Sequence, residues 1–121
     1  MVLRDVLFKG KRYYGEFADS EEGISTNILA DRLQKFEQSG ILTRHQDPNK
    51  RSKVYYLPTQ MALELVPIFL SLIEWAERHD AHTQVPKDFI DGYRNDPDAT
   101  IAEAYVLINA VNNQIIQYQE H

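Results

Sequence analysis

Apolar residues recur along the chain in a changing rhythm that divides it into short elements. Val2, Leu3, Val6 and Leu7 fall at helical spacing, and Lys9-Gly10-Lys11 ends that piece with a glycine suited to a C-cap, like the tail end of a helix. Tyr13 to Ser20 reads as a second short helix that buries Tyr13 or Tyr14 together with Phe17. Gly23 supplies a turn, and Ser25 or Thr26 can N-cap a third helix in which Leu29, Leu33 and Phe36 repeat at i, i+4 and i+7. Gly40 stops it as the residue after the cap. At about 100° per residue from Leu29, the far side of this helix carries Asn27, Asp31, Gln34 and Gln38, flanked by Ala30 and Lys35.

The rhythm then changes to that of strands. Ile41 to Gln46 and Lys53 to Leu57 are β-prone runs joined by Asp47-Pro48-Asn49-Lys50-Arg51-Ser52, which predicts a hairpin with a basic tip. Thr59 can cap a long helix reaching about Arg78, with apolar residues nearly all the way round, so burial on several sides is expected. Pro67 predicts a kink near Leu63 to Val66. Val85 to Asp98, with Pro86, Gly92, Asn95 and Pro97, reads as a turn-rich break, and Thr100-Ile101-Ala102-Glu103 fits a capping box opening a last helix to about Tyr118. That helix aligns Ile101, Tyr105, Ile108, Val111 or Asn112, and Ile115. The fold expected is mainly α with a small β-hairpin wing: a winged helix-turn-helix over residues 1–78 and a C-terminal, dimer-forming appendage over residues 79–121.

Charge modifies this picture. A net charge of −5 argues superficially against nucleic acid, but residues 1–60 hold 10 Lys and Arg against 8 Asp and Glu, whereas residues 61–121 hold 3 against 10. The front half can face phosphate while the acidic half faces solvent. With no cysteine, the chain has neither disulfides nor thiolate metal sites nor thiol-based redox sensing. No apolar run is long enough to span a bilayer and the start lacks the order of a secretory signal, so a cytoplasmic location is expected.

A helix-turn-helix followed by a cationic hairpin places its second helix in the major groove and braces it with the first. On that geometry Thr26, Asn27, Asp31 and Gln34 present hydrogen-bonding groups to base edges; Asn or Gln suits adenine and an acid suits the cytosine amine. Ser25 and Arg12 then lie near phosphate, and Arg44, Lys50, Arg51 and Lys53 make the wing a cationic finger. The plainer readings are a solvated helix face and cations that discourage edge pairing of a hairpin. The order of elements favours double-stranded DNA as partner.

These residues also resemble a known family, the HxlR-type winged-helix regulators, relatives of the MarR group. Gly23-Ile24-Ser25, Leu29, Leu33, Glu37, Gly40-Ile41-Leu42 and Arg44 match its pattern, and Val54, Tyr56, Thr59, Leu65, Pro67, Leu72 and Trp75 continue it, over about residues 3–78. The resemblance implies a bacterial or archaeal homodimeric transcription factor on a partly palindromic operator, with the wing toward the minor groove. Three departures stand out. The start lacks the family's longer leading helix, the cysteine used for sensing in some relatives is absent, and the wing has Pro48 alone where paired prolines are common, with Pro58 in place of an aliphatic residue.

The two late helices carry more apolar surface than a small winged domain can cover, so a symmetric dimer burying Leu63, Val66, Phe69, Leu72, Trp75, Tyr105, Ile108 and Ile115 is expected. Trp75, Phe69 and Leu72 could instead line a pocket for an unidentified small-molecule effector, although such stripes are more often core or dimer contact. His79 and His82 flank Asp80 at a ligand-like spacing, but with no thiolate and no third ligand nearby a polar helix end is the better reading, and no metal or other cofactor is expected. The chain has no phosphate loop, nucleophile elbow or zinc-protease pattern, which argues against an enzyme. The alternative in another class is a winged-helix protein-interaction module that does not bind DNA.

Overall fold

The computed structural model describes residues 2–19, 25–49, 53–80 and 85–120. Helices α1 (Val2–Phe8), α2 (Tyr14–Ala18) and α3 (Thr26–Gln38) precede a hairpin of β1 (Leu42–Gln46) and β2 (Val54–Pro58). Helices α4 (Gln60–Leu63), α5 (Val66–His79), α6 (Lys87–Asn95) and α7 (Pro97–Glu120) follow. The strands are antiparallel with Arg44 opposite Tyr56, and an isolated bridge from Tyr13 to Tyr55 adds a third, one-residue strand. This is the expected winged helix-turn-helix with C-terminal helices.

Apolar spacing explains how the reading head is assembled. Leu29 and Leu33 of α3 are sealed against Val2 and Val6 of α1, Phe17 of α2, Leu42 of β1 and Tyr56 of β2. Four elements thus converge on one face of α3 and leave the opposite face to solvent. Ser25 caps α3 by accepting from the Ile28 amide at 3.3 Å. Gly40 closes it at φ +80°, a left-handed conformation that costs a residue with a Cβ about 1–2 kcal/mol. The space around Gly40 is open, so Gly40→Ala is expected to lower stability by about 1 kcal/mol through backbone strain alone, measurable by urea denaturation at unchanged m.

The hairpin departs from simple strand alternation, since neighbouring Tyr55 and Tyr56 are both buried. Tyr56 packs edge-on to Phe17 in the core, while Tyr55 is covered from the other side by Tyr13 and by the stacked ring of His45 at 5.1 Å. Both faces of the wing's base are therefore anchored. Thr59 does not use its hydroxyl to cap the following helix; it donates back to the carbonyls of Gly40 and Ile41, tying β2 to the α3–β1 turn.

The expected long helix is two helices. Glu64 and Leu65 separate α4 from α5, and Pro67 lies in the first turn of α5, where its missing N–H has no intrahelical partner to lose. Burial on several sides is also not observed: Val66 and Leu70 are sealed, but Ile68, Leu72 and Trp75 are each more than half exposed. The expected break at 85–98 contains α6, an amphipathic helix that buries Ile90 and pairs Arg94 with Glu74 and Glu77 of α5. Turn-forming residues at both ends mask its short apolar stripe. Helix α7 begins three residues before Thr100: Asp96 accepts from the Ala99 amide at 3.2 Å, and the Thr100 hydroxyl donates back to the Asp96 carbonyl.

A second core joins the two ends of the chain. Leu7 of α1, Val66 and Leu70 of α5 and Ile108 of α7 are buried together, with Phe8 edge-on to Phe69. Gly10, at φ +67°, ends α1 where a Cβ would touch Val111 of α7 at 3.4 Å. Helix α7 thus contacts the reading head through α1.

Candidate nucleic-acid interface

The outward face of α3 has the composition expected of it. Thr26, Asn27, Asp31 and Gln34 are all exposed, on the side opposite the sealed Leu29 and Leu33. Asp31 is held by Lys35 at 3.0 Å, one turn on. Both are exposed, so the pair adds only a few tenths of a kcal/mol to the helix. Its larger effect is local: the carboxylate on this outward face is charge-compensated by a neighbouring ammonium. Ser25 is exposed, and although its oxygen accepts from Ile28 it retains a hydroxyl proton to donate outward.

The wing supplies the positive charge. Arg44 is exposed on β1, directly across the hairpin from Tyr56. Burial pushes the Tyr56 hydroxyl above its ordinary pKa, and the guanidinium of Arg44 partly offsets that rise. Lys53 is exposed with its ammonium 5.4 Å from the centre of the Tyr13 ring, a cation–π contact that holds the charge at the root of the wing. Asp47 organises the approach to the tip by accepting from the Asn49 amide at 2.8 Å. Lys50 and Arg51 lie outside the described residues, as do Gly23, Ile24 and His82.

Arg12 is a correction. Expected beside phosphate, it is fully buried, donating to the carbonyls of Val6 and Lys11 and, at 2.9 Å, to Asn112 of α7. Its own carbonyl accepts from the Tyr56 amide at 2.7 Å and its amide donates to Glu16 at 3.1 Å. Position 12 sits where α1, α2, β2 and α7 meet, so its long side chain is consumed internally. Burial lowers its pKa to about 10, and the nearby Glu16 partly opposes this; the group stays charged at neutral pH. Conversely Arg32, which the helical wheel places beside the apolar stripe, is exposed on α3. Position at the edge of a stripe does not decide exposure, so charge is the one signal in the sequence that flags it.

The residues expected at a dimer contact also divide. Val66 and Ile108 are buried within the chain's own second core, and Leu63, Phe69 and Tyr105 pack against it. Those five are wholly or partly occupied. Leu72 and Trp75 remain 57% exposed, and α7 adds Val106, Leu107, Ile116 and Tyr118, which the spacing does not flag because the aligned stripe through Tyr105 and Ile108 faces inward. Trp75 lies against His79, with ring centres 5.0 Å apart, and the large cleft of the molecule lies elsewhere, lined by residues that include neither Trp75 nor Phe69 nor Leu72. Nor do those residues contain a cluster of three potential metal ligands, or a helix long and apolar enough to cross a membrane.

Recognition helix, bracing helices and anchored wing define the winged helix-turn-helix class. Residues 1–84 match the family model described as HxlR-like helix-turn-helix, and the chain belongs to that family. Among curated relatives, an uncharacterised HTH-type transcriptional regulator of Synechocystis, sll1512, is 34% identical over 82 residues, covering 64% of this chain and 60% of that protein. The HTH-type transcriptional regulator YodB of Bacillus subtilis is 32% identical over 77 residues, covering 64% and 69%. An uncharacterised HTH-type regulator of Methanothermobacter thermautotrophicus is 27% identical over 78 residues, covering 64% and 60%. The matched region thus spans about three fifths of the first of these relatives. No solved structure matches the chain.

Proposed function

We propose that this chain is a sequence-specific, DNA-binding transcriptional regulator that works as a homodimer. The observation that carries the reading is the divided surface of α3, with Leu29 and Leu33 sealed in the core and Thr26, Asn27, Asp31 and Gln34 presented together beside exposed Arg44 and Lys53. Family membership and the relatives' names support it. In this reading residues 1–78 read the duplex and residues 79–121 complete the dimer, in the cytoplasm. Lys50 and Arg51 are two further cations in the sequence between the strands that could meet phosphate.

The uncovered apolar faces of α5 and α7, which include Ile68, Leu72, Trp75, Val106 and Leu107, support the dimer reading. A two-fold arrangement would cover both and set two α3 helices about one turn of duplex apart. Ile115, half-buried, would lie at the margin of that contact.

Fluorescence anisotropy with duplex fragments from upstream of the protein's own gene tests the DNA reading. Affinity is expected to fall steeply with salt, and a flat salt response would overturn it. Lys53→Ala should reduce the slope of log K against log salt by about 0.9 for each phosphate that the ammonium neutralises, across all sequences alike. Asn27→Ala should behave differently, costing about 1–3 kcal/mol on the preferred site with little change in slope. A protein partner retained at high salt with no DNA affinity would favour the interaction-module reading instead.

A further inference from the structure

A cleft of about 1080 Å³ opens between the end of α1 and helices α5, α6 and α7. Its wall is largely apolar, with Leu7, Phe8, Leu70, Ile73, Phe89 and Val111 among its residues. That volume is at the upper end of what small-molecule sites enclose. Arg12 forms part of the same wall. The acceptors of its side chain are a side-chain amide and two backbone carbonyls, all neutral, and its buried Nη2 has no hydrogen-bond partner. A positive charge thus lies in an apolar wall with no carboxylate bonded to its side chain; Glu16, bonded to the Arg12 amide but exposed to water, offsets that charge only in part, and an anion in the cleft would complete it.

The other charges of the cleft do not cancel this one. Asp88 and Glu103 line it but are exposed, where water screens them. Arg4 is paired with Asp5, and Lys9 is exposed, adding positive charge on the α1 side. An occupant should therefore carry an apolar body and one negative group.

We propose that this cleft binds a small amphipathic carboxylate, its body lying on Phe8, Leu70 and Phe89 and its charge settling against the part of the wall that Arg12 forms. Arg12 also hydrogen-bonds Asn112 of α7 through its side chain and the amide of Tyr56 in the wing through its carbonyl. Occupancy is thereby linked to both the dimer-forming helix and the DNA-facing hairpin. Only this linkage rests on the DNA reading; ligand binding itself does not.

Calorimetric titration of the intact protein with 4-phenylbutanoate and decanoate, each beside its uncharged alcohol, tests the site without DNA. At least one acid is expected to bind, and its alcohol about tenfold or more weaker, the order expected for removing a charge-assisted hydrogen bond. Ala110→Trp, at an exposed position on the cleft wall, should abolish binding while leaving the circular dichroism spectrum unchanged. Arg12→Gln, if folded, should erase the preference for acid over alcohol. Should it not fold, the acid–alcohol comparison on the unaltered protein and the Ala110→Trp variant still decide. Failure of both acids to bind, equal affinity for acid and alcohol, or binding untouched by Ala110→Trp would overturn the proposal. Because these readouts contain no DNA, their failure is distinct from failure of the regulator reading.

Discussion

Replacing Leu72 and Trp75 together by glutamate is expected to convert the proposed dimer into a folded single chain of 14.1 kDa and to weaken operator binding by at least about a hundredfold. Each side chain is 57% exposed and neither belongs to a core cluster. The substitutions therefore place four charges, two on each subunit, in the proposed contact without opening a cavity. Light scattering after size exclusion reads the mass, and circular dichroism checks that the helices persist. DNA affinity falls because two linked reading heads bind far more tightly than one. A variant that stays dimeric would place the contact elsewhere, on α7 alone or on another face. The paired substitution Val106→Glu and Leu107→Glu then distinguishes those cases.

Leu29→Ala is expected to cost about 2–5 kcal/mol, the range for truncating a sealed leucine whose neighbours cannot close over the gap. Leu29 is 0% exposed and shares its cluster with residues from four other elements, so a collapse around it would have to move α1, α2 and the hairpin together. The thermal midpoint should fall by roughly 10 °C. Gln34→Ala, on the opposite side of the same helix, is the control: it is exposed, and its thermal midpoint should change by no more than about 2 °C while operator affinity drops. A similar thermal loss for both would mean that α3 has no free face, and the reading surface would have to be sought elsewhere.

Much of the reading head is legible in the sequence because its signals are local. The i, i+4 spacing of Leu29 and Leu33, the cap at Ser25 and the stop at Gly40 each act within one or two helical turns, and all three stand in the structure. Long-range relations are less legible. Arg12 reads as a surface cation because nothing nearby in sequence announces Asn112, which lies 100 residues on. The expected dimer stripe runs through Val66, Tyr105 and Ile108 because periodicity identifies an apolar face without saying whether the chain itself or a second copy covers it. Helix α6 escapes for a different reason. Pro86 and Pro97 bracket a helix as readily as they break one, and nine residues offer too few apolar positions to outweigh them. The fine placement of the wing's charge is equally hidden, since the Lys53 contact with Tyr13 spans 40 positions.

The junction at Arg12 bears on how this chain can be recombined with a relative. A hybrid that keeps this chain's first 80 residues and takes its terminal helix from elsewhere crosses two seams in one place: the approach of Gly10 to Val111 and the bond from Arg12 to Asn112. Grafting the terminal helix with a one-residue offset would rotate Val111 and Asn112 by about 100° and break both seams at once. Positions 10, 12, 111 and 112 therefore travel as a set, and a library of interchangeable terminal helices should keep them constant while varying the rest.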